Sequence, residues 1–424
     1  MSNFLQNISD KIIFENDSHY VWPRITKDVE SVVLKQLYRE ISIYNRSGVF
    51  EEFENKFSTY HGRQFALLSN SGTNALFSMF EGINLGRDDE IICPTYTFFA
   101  TISSVVYTGA HPVFCDCDES GNITATKIQE KITTKTKAVI VTHMWGMPCD
   151  MDKIVSLCKK HNLYLLEDCS HAHGAEYNDS KVGTFGDAAA WSLQGQKTVT
   201  GGEGGIMLTD NKEIHYRATL QGHYNKRCMQ EIPKSENLSK FSLTGFGLKF
   251  RAHPLAIAIA NEQFSHLDEW ILQRQKYVDM FVSAFGNYRF LKMPAYKNKK
   301  PSWYAFIMQF DENYSNGVSL DDFYNSLHKI GLKEVDRPGS TRPIHNLPLF
   351  NYLDEAMPRL YEKQDKKPMY CSFPQAEKFY RNAIKLPVWA FADEQKIVET
   401  YIKGIKCICD IIVEKPELFK EREC

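Results

Sequence analysis

Between residues 64 and 209 the chain alternates short, uninterrupted apolar runs with longer stretches whose apolar positions recur at helical spacing. Apolar runs bounded by turn residues read as buried strands, and the longer periodic stretches read as helices. The spacing predicts strands over 64–68, 90–93, 111–115, 138–143, 164–166, 188–192 and 206–209, with crossover helices over 73–85, 98–108, 123–131 and 151–162. Asp150 or Asp152 is placed to cap the last of these helices. Such alternation implies an α/β domain with a mainly parallel central sheet. Ligands of these sheets collect at the carboxyl ends of strands, so Ser71, Asp168, Ser192 and Lys197 are expected to converge.

Beyond Phe250 the pattern changes. A long helix over 254–274, with apolar Leu255, Ile257, Ala258, Phe264, Leu267 and Ile271, leads toward a smaller α+β domain. There the strand candidates are 303–310 and 384–388 and the helix candidates 320–330 and 394–414. The expected division is a large domain over 1–275 and a small one over 276–424.

Composition narrows the function classes. With 50 basic and 52 acidic side chains and a formal charge of -2, the chain has no basic excess to attract nucleic acid or an anionic membrane. The stretch 1–22 carries Asp10, Glu15 and Asp17, unlike a secretion signal. Apolar runs fall short of the ~20 residues that span a bilayer. A cytoplasmic enzyme is expected. Eleven cysteines, scattered or paired as Cys115/Cys117 and Cys407/Cys409, suggest reduced thiols and no metal site.

The chemistry gathers at strand ends. Around Ser71-Gly72-Thr73 a strand turns into a helix whose free amides suit a phosphate, although a plain N-cap explains the same residues. Phe98 follows a strand end, where its ring either stacks on a flat cofactor or joins the core. Glu167-Asp168 ends an apolar strand; a buried acid there needs a cationic partner, such as a protonated pyridine nitrogen, or else caps the next turn. His171 and His173 follow it, as cofactor contacts or as structural histidines. Ser192 offers a hydroxyl at a further strand end. Five residues on, Lys197 precedes the glycine-rich 201–205, as an amine for a Schiff base or as a solvated charge. The nucleotide patterns Gly-x4-Gly-Lys-Ser/Thr and Gly-x-Gly-x2-Gly are absent.

In order and combination, Phe53-Glu54, Ser71-Gly72-Thr73, residues 94–98, Glu167-Asp168 through His173-Gly174-Ala175, residues 183–187, and Ser192 through Lys197 to 202–205 resemble the DegT/StrS family of pyridoxal-phosphate-dependent sugar aminotransferases. The resemblance implies the type I fold of aspartate aminotransferase. It also implies that Lys197 binds the cofactor covalently and shuttles a proton, that Asp168 holds the pyridine nitrogen, and that Phe98 stacks on the ring. Gly72, Thr73 and Ser192 would hold the phosphate, and His171 would lie near the cofactor hydroxyl. It implies a homodimer with shared active sites. In Gly247-Leu248-Lys249-Phe250-Arg251, Lys249 stands where relatives carry an asparagine that reaches the partner's phosphate.

The activity so implied is transfer of an amino group from an amino acid, glutamate, to a keto sugar, nucleotide-linked and destined for a surface polysaccharide. Alternatives are a smaller ketone such as an inosose or a keto-polyol phosphate, with Arg342 or His345 meeting an anion, and a sugar dehydratase. Relatives that dehydrate replace the lysine by histidine, which Lys197 argues against. A cofactor-binding regulator without turnover is a third class.

Overall fold

The computed structural model describes residues 19–362 and 372–419, so most of the 1–22 stretch, read as unlike a secretion signal, and part of the 276–424 region lie outside the described residues. Among the described residues, seven strands form the main sheet: β1 (Phe65–Ser69), β2 (Glu90–Pro94), β3 (His111–Cys115), β4 (Thr136–Thr142), β5 (Tyr164–Asp168), β6 (Ala188–Ser192) and β7 (Gly205–Thr209). Their order across the sheet is β1-β7-β6-β5-β4-β2-β3. All neighbours are parallel except β7, which runs antiparallel to both β6 and β1.

The exception has a local cause. The β6–β7 connection carries no crossover helix, so the chain can only return as a hairpin. Lys197 rides on that hairpin loop, beyond the carboxyl end of β6, and Gly205 lies opposite Ser192 on one side and Ser69 on the other. The sheet is covered on both faces. Along β7, Ile206 and Leu208 pack into one apolar cluster with Trp191, while Met207 packs into another with Ala190. This two-sided burial explains the uninterrupted apolar strands in the sequence.

Several helix expectations need correction. The 98–108 helix is a short α-turn, Ala100–Ser103, followed by a 3-10 turn, Ser104–Tyr107. The 123–131 helix shrinks to Ala125–Gln129, because Ile123 is drawn into a β-bridge with Cys117. The helix over 254–274 is two, Pro254–Phe264 and Leu267–Phe285, broken where His266 leaves helical geometry at ψ 0°. The second crosses the expected boundary after residue 275. Asp150 occupies the N-cap position of Met151–His161 without a capping bond and instead pairs with Lys299 at 2.8 Å.

The C-terminal part carries a separate three-stranded antiparallel sheet, β8 (Leu291–Lys292), β9 (Phe306–Phe310) and β10 (Ala383–Leu386), in the order β8-β9-β10. Phe306 and Met308 of β9 join Val398, Tyr401 and Ile405 of helix Gln395–Glu414 in its core. A two-residue strand, Arg342–Pro343, reaches back to pair with Tyr96–Thr97 beside the large sheet.

Candidate active site

At the carboxyl ends of β4, β5 and β6 lies a cleft of about 350 Å³. Gly72, Thr73, Phe98, Asp168, His171, Ser192 and Lys197 all line it. Lys249 does not: it is exposed on a separate stretch of surface.

One end of the cleft is the N-terminus of helix Gly72–Gly82. The Ser71 hydroxyl accepts from the Asn74 amide at 3.1 Å, so the N-cap role is real. It leaves the amides of Gly72 and Thr73 without intrahelical acceptors. A Cβ on Gly72 would lie 2.6 Å from Ser192 Cβ, and one on Gly205 2.3 Å from Ser71 O. Only glycine permits helix, β6 and β7 to close this tightly, which fixes the Ser192 hydroxyl beside the helix N-terminus. Ser192 Oγ accepts from the Gln194 amide at 3.2 Å and keeps its own proton to donate.

The acid at the end of β5 is held at both oxygens. Thr101 Oγ1 donates to Asp168 Oδ2 at 2.6 Å, and the Ser170 amide donates to Oδ1 at 3.0 Å. Because the single Thr101 proton is committed to Asp168, Thr97 must donate to Thr101 across 2.8 Å. Asp168 thus both orders the turn and presents a carboxylate to the cleft, and the two sequence readings are compatible.

Its neighbour Glu167 points to the opposite face of the sheet and is fully buried. The Cys149 amide donates to His143 Nδ1 at 3.1 Å, so the ring proton sits on Nε2 and bonds to Glu167 at 3.1 Å. The amides of Gly183, Phe185 and Gly186 complete the shell at 2.7–2.9 Å. Burial pushes the Glu167 carboxyl upward, but these donors outweigh it and hold it below its ordinary value. The 183–187 segment therefore wraps the carboxylate that anchors the catalytic end of β5.

Lys197 is partly buried, with Nζ 4.8 Å from the centroid of the Tyr304 ring. Burial lowers its pKa to about 8, against the opposing attraction of Asp168. Its loop is braced from outside: Trp22 Nε1 donates to the Lys197 carbonyl at 2.8 Å, and Arg274 donates to the Thr198 hydroxyl at 3.1 Å. His171 stacks on Tyr304 at 4.0 Å, and its Nδ1 is buried without a hydrogen-bond partner among the described residues. Burial, then the nearby Lys197 and His173, hold this imidazole neutral.

Residues 32–401 match the model of the DegT/DnrJ/EryC1/StrS aminotransferase family. The chain belongs to this family. It is 29% identical over 360 residues to the GDP-perosamine synthase of Escherichia coli O157:H7, covering 84% of this chain and 89% of that one. It is 32% identical over 292 residues, 68% of this chain and 77% of the relative, to the dTDP-3-amino-3,6-dideoxy-alpha-D-galactopyranose transaminase of Aneurinibacillus thermoaerophilus. The solved aminotransferase from Psychrobacter cryohalolentis superposes with a TM-score of 0.81 at 25% identity, covering 93% of this chain and all of that one. The chain is thus an aminotransferase-family enzyme of fold type I.

In this member of the family, several cleft residues lay beyond sequence reasoning. Tyr304 comes from the C-terminal part, and Ser340 and Thr341 from the segment that pairs with Tyr96–Thr97. Thr101, one helical turn after Thr97, carried a signal that only the fold makes readable. Trp22 carried none. Arg342 and His345 are not brought to the catalytic cleft: Arg342 is exposed and donates to the Gly339 carbonyl, while His345 is buried against Thr95 Oγ1 at 2.9 Å.

Proposed function

We propose that this chain is a pyridoxal-phosphate-dependent aminotransferase that moves the amino group of glutamate to a nucleotide-linked keto sugar used for a surface polysaccharide. The observation that carries the reading is the lysine whose pKa burial lowers to about 8, in one cleft with a doubly hydrogen-bonded aspartate and a free helix N-terminus. The residues fit that cofactor. The Cβ-free approach at Gly72 leaves amides and the hydroxyls of Thr73 and Ser192 for a phosphate, Asp168 suits a pyridine N–H, and the His171 ring, which lines the same cleft, suits the ring hydroxyl.

The cofactor supplies an aldehyde that captures amines and a protonated ring that draws electrons from the substrate carbon. The protein does the rest. At neutral pH a lysine with pKa near 8 holds about 300-fold more neutral amine than one at 10.5. Lys197 Nζ therefore takes the proton from the donor α-carbon and returns it to the product side. The Asp168 carboxylate would hold the proton on the ring nitrogen, and Phe98 would cover one ring face.

The acceptor class rests on the cleft's extension. Past Gln196, Tyr304, Ser340 and Thr341 it continues into a chamber of about 510 Å³ lined by Tyr324, His328, Lys333 and Lys385, room suited to a nucleotide-bearing sugar more than to a small ketone. Leu243 and Leu248 are exposed beside Lys249, and a second copy covering this stretch would bring Lys249 to the partner's cofactor phosphate. No helix among the described residues is long and apolar enough to cross a membrane.

The test is the absorbance spectrum of wild type and Lys197→Ala with the cofactor, before and after glutamate, followed by product mass with nucleotide-linked keto sugars. Wild type should form a lysine-dependent band that glutamate removes, and a keto-sugar substrate should gain an amine. A lysine-dependent band indifferent to every amino acid would leave a non-transaminating binder. A dehydrated product would point to the dehydratase.

A further inference from the structure

The catalytic cleft and the chamber beyond it share Gln196, Tyr304, Ser340 and Thr341 as lining residues, and these form the neck between the two. They come from three separate segments, each fixed at its backbone. Gln196 sits in a turn where the Lys197 amide donates to the Gln194 carbonyl at 2.8 Å and the Gln196 amide to the Gln194 side chain at 3.0 Å. Ser340 and Thr341 sit in a second turn, closed by Arg342 donating to the Gly339 carbonyl at 3.0 Å. Beyond it the chain is pinned to the large sheet's flank. Arg342 and Pro343 pair with Thr97 and Tyr96, and the Ile344 amide donates to the Thr95 carbonyl at 2.8 Å. Continued by one residue, that register sets Thr341 opposite Phe98, which lines the same cleft. The Tyr304 ring is held by its stack on His171.

The side-chain tips are free where the backbones are not. Among the described residues, no hydrogen bond engages the Gln196 amide group, the Ser340 and Thr341 hydroxyls or the Tyr304 phenol. Gln196 and Ser340 are exposed, and the hydroxyls of the more buried Thr341 and Tyr304 stay open to the cavity. Burial pushes the Tyr304 phenol up to about 12, so it keeps its proton. All four groups are therefore neutral, and each both donates and accepts. The charges lie to either side: Lys197, Asp168 and Glu203 in the cleft, and Lys333, Glu334, Asp336 and Lys385 in the chamber. An apolar group in the neck strips water from four polar tips and returns nothing, whereas a hydroxyl pairs with them.

We propose that this neck reads the acceptor: Gln196, Ser340, Thr341 and Tyr304 hydrogen-bond uncharged hydroxyls on the ring of the keto sugar and so set which sugars are aminated. The inference rests on the keto-sugar reading above and assigns its specificity to named side chains. Gln196 adjoins Lys197 in sequence, so a ring whose carbonyl reaches the lysine has its remaining positions at the neck.

The test uses the cofactor-loaded full chain, converted to its amino form with glutamate and mixed with GDP- and dTDP-linked keto-deoxyhexoses while return of the cofactor band is followed. For an acceptor that turns over, Thr341→Val, Ser340→Ala and Gln196→Met should each lower kcat/KM about 3- to 10-fold more than they slow the glutamate half-reaction. Thr341→Ser, which keeps the hydroxyl, should recover most of the loss. Equal slowing of both half-reactions, or no change in the acceptor half-reaction, overturns the neck proposal and leaves the keto-sugar reading standing. Reaction with glutamate but with no keto sugar overturns both.

Discussion

Replacing Asp168 by asparagine separates the chemistry of this acid from its structural role. Asp168 Oδ1 accepts from a backbone amide, which cannot reverse, and Oδ2 accepts from the Thr101 hydroxyl, which can. Asparagine therefore keeps its oxygen toward Ser170 and turns its amide toward Thr101, whose hydroxyl rotates to accept and gives its proton up to a neighbour. The fold should survive with a stability loss of about 1 kcal/mol. What disappears is the negative charge facing the cofactor's ring nitrogen. A hydrogen bond to a charged group contributes about 1.5–3 kcal/mol, so the glutamate half-reaction should slow by about 10- to 150-fold or more. The same change removes the attraction that raises the Lys197 pKa, so the pH midpoint for amine reactivity should move below about 8. The assay is a single-turnover stopped-flow trace of the cofactor band against pH, beside a thermal melt. A folded variant that binds cofactor and turns over within a few-fold of wild type, with an unmoved midpoint, would refute the reasoning.

Gly72→Ala places a methyl 2.6 Å from Ser192 Cβ and 2.9 Å from its Cα, so either the helix or β6 must shift. Cofactor affinity, followed by fluorescence titration, should fall about tenfold or more while the protein remains folded. Glu167→Gln leaves a buried shell of four donors facing one oxygen and an amide, and unfolding by urea should show a loss of about 3 kcal/mol. Because the Glu167 carboxyl is held below its ordinary 4.5, its contribution is complete above that pH and is lost as pH falls through the depressed value; the variant should lose that part of the acid dependence. If Lys249 completes a neighbouring copy's site as proposed, Lys249→Ala should weaken cofactor binding, and mixing it with a Lys197→Ala chain should restore one type of site; unchanged affinity in the pure variant would remove Lys249 from that site.

The parallel sheet and the convergence at its carboxyl edge were legible because both faces of the strands are buried, so strands read as unbroken apolar runs ending in chemistry. The antiparallel β7 was not, since strand direction depends on whether a connection returns as a hairpin. The helix over 254–274 was overextended because its apolar spacing continues through Ser265-His266 although the backbone breaks there. Within the cleft, Asp168 stood out because it ends a strand of the main sheet, and Gly72 and Lys197 because each follows shortly after one. Tyr304, Ser340 and Thr341 are brought in by the C-terminal part, and Trp22 reaches the Lys197 carbonyl from 175 positions away, so local patterning carried nothing of them. Residues 183–187 were visible as a motif, but their purpose, four donors on Glu167 with His143, needed the fold.

The most direct measurement is borohydride reduction of the cofactor-loaded enzyme, followed by peptide mass mapping with and without prior glutamate. A cofactor adduct on the peptide containing Lys197 is expected, and it should be lost when glutamate is added before the reductant. An adduct on another lysine, no adduct, or an adduct indifferent to glutamate and every other amino donor would contradict it.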